Sequence, residues 1–281
     1  MIISNLILGN YNDIIGRKII IARKNKRHYH KSSMKKQKMI GIVGGIGSYA
    51  GIDLIKKIYD FTQAFCDQDH LPVSMLSAPH KIVDRTEFLL GNITTNPGFA
   101  IHDIIKTLVS NGANIIGIPC NTAHASPIFD VITNQLPKSC KVIHLIDEVG
   151  HYLKTHLPKI RKVGILGTTG TLISKIYPKL LTHYNLTVIE PSQEIQDMFV
   201  QPAIYDKYYG IKTIANPISS KATNNLITAA TYLSRKGAEC IILGCTEIPL
   251  AIQEETIENS LILDATKILA KALIRESTIT I

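Results

Sequence analysis

Short β-branched runs alternating with stretches of helical periodicity predict an α/β protein, built as two similar halves that each carry a small parallel sheet with helices on both faces. Two observations point to the halves. A strand signal running into a glycine turn occurs twice, as Ile40-Gly41-Ile42-Val43-Gly44-Gly45 and as Val163-Gly164-Ile165-Leu166-Gly167-Thr168. Each copy is followed, 79 positions after Gly41 and 81 after Gly164, by a cysteine that closes an apolar run: Cys120 in Ile118-Pro119-Cys120-Asn121-Thr122-Ala123-His124, and Cys245 in Leu243-Gly244-Cys245-Thr246-Glu247-Ile248-Pro249-Leu250.

In chain order, 39–43 is the first expected strand, and the turn Gly44-Gly45-Ile46-Gly47 leads to a helix capped by Ser48. Its buried stripe reads Ile52, Ile55, Ile58, Tyr59, Thr62 and Phe65, the spacing of one helical face. Strands are expected at 72–76 and 114–118. Between them Asn96-Pro97 starts a helix through Ile101, Ile104, Ile105, Leu108 and Val109 that Gly112 ends. A further strand falls at 141–145, and the pattern then begins again at Lys162. The expected domains are 39–150, carrying Cys120, and 151–255, carrying Cys245, with 256–281 available to complete the first. Ligands of such sheets bind outside the carboxyl ends of the strands, which places the site in the cleft between the halves.

With 281 residues, 45% of them apolar, the chain can bury one large core or two medium ones. The formal charge of +9 would suggest a nucleic-acid or membrane partner, but residues 1–38 hold ten Lys or Arg against Asp13 alone. That leaves 21 of the 31 basic and 21 of the 22 acidic residues to the rest of the chain, so the globular part has no basic excess and no nucleic-acid partner is expected. The basic extension makes a poor secretory signal, because most of its charges follow its apolar stretch. Met34 and Met39 lie just before the first strand, translation is expected to begin there, and the extension is expected to be dispensable. No apolar run is long enough to span a bilayer. The five cysteines form no Cys-x-x-Cys pair and no zinc spacing, which points to a reducing, cytoplasmic setting without a metal.

A cysteine where a buried strand gives way to a helix is placed for chemistry, since the helix N-terminus favours the thiolate. Taken singly, either thiol could equally be a small core hydrophobe. Finding both at matching places is harder to explain by packing. Asn121, Thr122 and Thr246 could bind a substrate's ammonium or carboxylate, or cap the helices that start there. Glu247 could orient a thiol or solvate a first turn, and His124 is better read as structural than as a proton carrier. The turn Gly45-Ile46-Gly47-Ser48-Tyr49-Ala50 fits the dinucleotide fingerprint, yet the second strand ends in Ser77-Ala78-Pro79 with no acid to hold a ribose. The N–H groups around Gly45 and Gly47 are therefore expected to hold a small anion such as a carboxylate.

Gly44-Gly45-Ile46-Gly47, Asp84-Arg85-Thr86, the two cysteine motifs and Gly167-Thr168-Thr169-Gly170-Thr171 together resemble the aspartate/glutamate racemase family, its aspartate racemase branch in particular, from Met39 to about Arg275. The resemblance implies a cofactor-independent enzyme of two pseudo-symmetric α/β domains, often a homodimer, with one thiol on each side of the substrate α-carbon. It also implies Arg85 and Lys212 as grips for carboxylate groups. Ile46 with Ser48-Tyr49 departs from the family's usual Met and Pro-x, and this bears on the preferred amino acid. Inverting an α-carbon needs a proton removed from one face and another delivered to the opposite face, which two opposed thiols can do. Nothing in the sequence demands pyridoxal phosphate. Rival expectations are another carbanion reaction in the same type of cleft (maleate isomerisation, hydantoin racemisation or arylmalonate decarboxylation) and a non-catalytic amino-acid sensor.

The charge count yields a first prediction. A chain beginning at Met39 should fold, keep whatever α-proton exchange the full chain shows, and lose the basic pI. Circular dichroism and a chiral amino-acid assay on both lengths check it, and loss of either property would make the extension part of the enzyme.

Overall fold

The computed structural model of the chain describes residues 37–278. The basic extension expected over 1–38 falls, as far as residue 36, outside the described residues. The first half runs β1 (Met39–Gly44), α1 (Ser48–Phe61), β2 (Val73–Ser77), α2 (Arg85–Leu89), α3 (Pro97–Ser110), β3 (Ala113–Gly117), α4 (Ser126–Thr133), β4 (Lys141–Val142) and α5 (Leu145–His156). The second runs β5 (Lys162–Leu166), α6 (Thr169–Ile173), α7 (Ile176–Leu181), β6 (Thr187–Ile189), α8 (Gln193–Ile195), a π turn over Gln196–Val200, α9 (Gln201–Tyr205), α10 (Ser220–Arg235), β7 (Cys240–Leu243), β8 (Thr256–Ile257), β9 (Ser260–Asp264) and α11 (Ala265–Thr278).

One sheet has the order β2-β1-β3-β4, with every pair parallel; the other has β6-β5-β7-β9-β8, parallel except for β8 against β9. In both sheets the first strand of the half sits beside the strand that leads to a thiol: β1 beside β3, and β5 beside β7. Strand residues alternate faces, and here both faces are buried. Ile40, Ile42, Val163, Ile165, Cys240 and Ile242 face a core shared by the two sheets. Val43 and Ile116 turn to an outer core in the first half, Leu166, Ile241 and Leu243 to another in the second.

The pseudo-symmetry reaches individual glycines. A Cβ on Gly41 would stand 2.8 Å from Ala113 Cβ and 3.4 Å from Leu108 Cβ, while one on Gly164 would stand 3.1 Å from Ala238 Cβ and 3.2 Å from Leu233 Cβ. Each half thus uses a glycine in its first strand to let the helix that leads into the thiol strand, α3 or α10, lie close on the sheet.

Three expectations change. On α1 the buried face is Ala50, Gly51, Leu54 and Ile58 with Lys57, whereas Ile52 is 55% exposed and Phe65, beyond the helix end, 85%. Small residues face the sheet because the helix lies close: a Cβ on Gly51 would be 3.0 Å from Met75 Sδ. The strand expected at 141–145 is only Lys141–Val142, because His144 caps α5 by accepting from the Asp147 N–H at 3.2 Å. The C-terminal segment does not belong to one half. β8 and β9 extend the second sheet, and only α11 packs on α1, α5 and β3 of the first half.

A buried ion cluster fixes that crossover. Lys57, 8% exposed, reaches Asp53 on its own helix and Asp264 Oδ2 at 2.7 Å, at the end of β9. Asp264 Oδ1 in turn accepts from the Thr266 N–H at 2.8 Å, capping α11. Replacing Lys57 by Met should leave two carboxylates buried without their cation and destabilise the fold by about 3–5 kcal/mol. The urea midpoint should fall accordingly and recover partly on acidification, as Asp53, whose pKa burial already raises, takes up a proton.

Candidate active site

The loops that follow β3 and β7 meet across the cleft. One small cavity is lined by Cys120, Asn121 and Thr122 from the first loop and by Gly244, Cys245, Thr246 and Glu247 from the second. Ile46, Arg85, Thr168, Thr171, Tyr205 and Lys212 complete its wall. Each thiol loop leaves its strand in a single 3-10 turn, Thr122–His124 in one half and Ile248–Leu250 in the other. The α-helix N-termini expected directly behind the cysteines are therefore absent from both loops. Capping by Asn121 and Thr246 is absent as well: Thr246 Oγ1 donates to the Pro119 carbonyl at 2.9 Å, tying one loop to the other.

The two thiols have unlike neighbours. Cys120 Sγ lies 3.2 Å from Thr122 Oγ1, a neutral hydroxyl. Cys245 Sγ lies 3.7 Å from Glu247 Oε2. Burial pushes the Cys245 thiol up to about 12, the Glu247 carboxylate adds to the rise, and Lys212 opposes it. Lys212 is ion-paired with Glu247. Burial works against the Lys212 ammonium, but Glu247 and then Cys245 overcome it and hold its pKa above the ordinary lysine value.

Arg85 opens α2 and is 7% exposed. Its guanidinium donates to the Val83 carbonyl at 3.2 Å and the Ile46 carbonyl at 3.4 Å, and its Nε has no partner. Asp84 caps the same helix through the Glu87 N–H at 3.0 Å and accepts from the Tyr205 hydroxyl at 3.0 Å. From there hydroxyls run across the cleft: Thr86 to Thr168 at 3.2 Å, and Thr168 to Thr171 at 3.2 Å. Gly170 allows this approach, since a Cβ there would be 2.8 Å from Thr86 Cα.

Of the residues expected from sequence, Cys120, Cys245, Arg85, Asn121, Thr122, Thr246 and Lys212 all line the cavity. Gly45 and Gly47 do not. With φ of +82° and +117° they make a turn that L side chains avoid, and their bare Cα positions accommodate Pro79 and Glu247 respectively. Of this turn, Ile46 lines the cavity. Thr168, Thr171 and Tyr205 were not singled out as site residues. The first two follow β5 as the glycine turn follows β1, so the repeat held their signal; Tyr205 left none. Among the described residues no group of three or more His, Cys, Asp or Glu is placed to hold a metal ion, and no helix is long and apolar enough to cross a membrane.

His124 supports the Cys120 loop from behind. Its Nδ1 lies 2.8 Å from the Cys120 carbonyl oxygen and so carries the ring proton. Burial, and then the neighbouring His144, press its pKa down to about 3. An unfolded chain takes up this proton below about pH 6.5, and the native protein does not until near its depressed pKa. The stability that neutral His124 contributes is complete above that pH and should be lost toward pH 3, by up to about 1.4 kcal/mol per pH unit. Urea midpoints from pH 7 to 4 check this: His124→Gln should have the flatter profile by close to one proton.

The chain is similar in sequence and in fold to known proteins. A family profile described as Asp/Glu/Hydantoin racemase matches residues 43–273. The aspartate racemase of Picrophilus torridus superposes with a TM-score of 0.71 at 30% identity, covering 85% of this chain and 94% of that one. The broad specificity amino-acid racemase RacX of Bacillus subtilis is 26% identical over 245 residues, 84% of this chain and 96% of its own length. A putative Asp/Glu racemase from Yersinia pestis shares the fold with a TM-score of 0.67 at 23% identity, covering 85% of this chain and 99% of its own.

Proposed function

Because the chain belongs to the Asp/Glu/hydantoin racemase family, and is by that membership an amino-acid racemase, we propose that it interconverts L- and D-aspartate or glutamate by passing protons between Cys120 and Cys245. The observation that carries this is the convergence of both thiols and two cationic side chains, Arg85 and Lys212, on one small cavity. The two cations suit a dicarboxylate, which favours aspartate or glutamate over the broader range suggested by RacX.

In the forward step a thiolate takes the α-proton and becomes a thiol, while the substrate keeps the electron pair as a carbanion. The opposite thiol then gives its own proton to the other face and becomes the thiolate, so the pair is left in reversed protonation states. The Glu247 carboxylate beside Cys245 supports Cys245 as the thiol of the resting pair and Cys120 as the base. Arg85 and Lys212 attract the carboxylates and stabilise the charge that spreads into the α-carboxylate as the proton leaves. Asn121, Thr122 and Thr246 supply polar contacts. On this account the enzyme needs no cofactor, and the inferred setting is a cytoplasmic homodimer.

In heavy water, starting from one pure enantiomer, solvent deuterium should appear at the α-carbon of nearly every inverted molecule while the remaining substrate stays largely unlabelled early on. Either Cys120→Ala or Cys245→Ala should abolish racemisation, since each face then lacks its acid or base. Product that kept its original proton, or one alanine variant still racemising at a comparable rate, would overturn the two-thiol mechanism.

A further inference from the structure

Tyr177, on α7, is among the largest side chains that the fold buries completely, and the chemistry above makes no use of it. Its ring packs against the backbone at Gly244, where a Cβ would come within 3.3 Å of Tyr177 Cε2. Its hydroxyl reaches across to the first half and donates to Asn121 Oδ1 at 2.6 Å. One side chain therefore touches the residue before Cys245 and the residue after Cys120.

This contact determines which way the Asn121 carboxamide points. A buried phenol must place its proton on an acceptor, and Asn121 Oδ1 is the partner it has among the described residues. Burial holds the Tyr177 pKa well above the ordinary tyrosine value, and the nearby Cys245 sulfur adds to the rise, so the proton stays. With Oδ1 occupied, the Asn121 Nδ2 group turns the other way. It is buried without a hydrogen-bond partner, as is Arg85 Nε, and both residues line the cavity. Two unpaired donors on residues that line one cavity match an anionic acceptor supplied by a ligand.

We propose that Tyr177 is a positioning residue that holds the Asn121 carboxamide with its N–H groups toward the cavity, so that Asn121 donates to a carboxylate of the bound amino acid. The assignment rests on the racemase function proposed above and adds a residue that acts only through another. Removing the phenol oxygen keeps the ring packed but frees the carboxamide to rotate, which would set its oxygen against the substrate carboxylate.

The test is a double-mutant cycle read by binding as well as by turnover. L-Aspartate is titrated calorimetrically into the wild type, Tyr177→Phe, Asn121→Ala and the double variant, and kcat and KM are measured on each. Tyr177→Phe should weaken aspartate binding about tenfold and lower kcat/KM by about the same factor, with kcat within about threefold, as for loss of a ground-state contact. In the Asn121→Ala background it should add nothing. Asn121→Asp supplies an arm independent of the tyrosine variant. One oxygen would take the Tyr177 proton and the other would present negative charge to the substrate, so binding should fall further than in Asn121→Ala. Wild-type affinity in Tyr177→Phe, an equal further loss in the Asn121→Ala background, or near-normal binding by Asn121→Asp would each overturn the assignment. A protein that binds aspartate without racemising it would remove the proposed reaction and leave the binding series to decide the role of Tyr177. One that binds neither aspartate nor glutamate would remove both.

Discussion

Ile40 and Ile42 of one sheet and Val163, Ile165, Cys240 and Ile242 of the other bury into the same apolar core, and α11 adds Ile268, Leu269 and Leu273 to it. This shared core orients the sheets, and the site depends on that orientation. Each parallel sheet delivers one thiol loop at the carboxyl end of a central strand, and the loops meet only because the sheets are packed on common side chains. Burying a large aliphatic side chain contributes about 1.5–3 kcal/mol, so a core of this extent outweighs the cost of gathering charged groups around the cleft. The Lys57 cluster adds direction to that adhesion, since an ion pair has one geometry where apolar contact has many.

Around the cavity most polar groups are engaged before any ligand arrives. Glu247 holds Lys212, Asp84 holds Tyr205, and Thr246 holds the opposite loop by its carbonyl. The unpaired donors, Arg85 Nε and Asn121 Nδ2, stand out against that background. A substrate carboxylate of the kind proposed would meet these two without displacing a protein group, but would compete with Glu247 for Lys212. Preformed donors of this kind cost no reorganisation when charge develops, which is the condition under which electrostatic stabilisation is strongest.

Much of this was legible in the sequence, and the reason lies in the repeat. Two copies of strand, glycine turn and cysteine located the site without any knowledge of side-chain packing, because strand ends follow from local pattern and parallel sheets place their ligands there. What misled was inference from residue type alone. Ile52 and Tyr59 have the hydrophobicity of a buried face, yet α1 turns Ala50 and Gly51 to the sheet, because close helix–sheet packing selects small residues and periodicity of apolar residues does not register size. Asn121 and Thr246 carry the chemistry of helix caps, but the chain behind each thiol makes one 3-10 turn, so the side chains hold across the cleft instead. Gly47, whose N–H group the sequence offers to an anion, also leaves room beside its bare Cα for the Glu247 carboxylate, a contact no local pattern announces. Tyr177 gave no signal, since its role depends on a contact made 56 positions away.

The same repeat explains how a symmetric scaffold supports an asymmetric pair of thiols. Backbone pseudo-symmetry places Cys120 and Cys245 on opposite walls, but the second residue after each differs, Thr122 in one loop and Glu247 in the other. Cys120 has a hydroxyl 3.2 Å away, whereas the carboxylate 3.7 Å from Cys245 repels a thiolate there and favours the protonated thiol. In the proposed two-thiol mechanism the bases must hold opposite protonation states for either to act, and identical surroundings would leave that choice to chance. On the proposed mechanism, the Glu247 carboxylate beside Cys245 favours Cys245 as the protonated member of the pair. Lys212, paired with that carboxylate, opposes the rise at Cys245, as the proposed reaction would require of Cys245 when it runs in reverse.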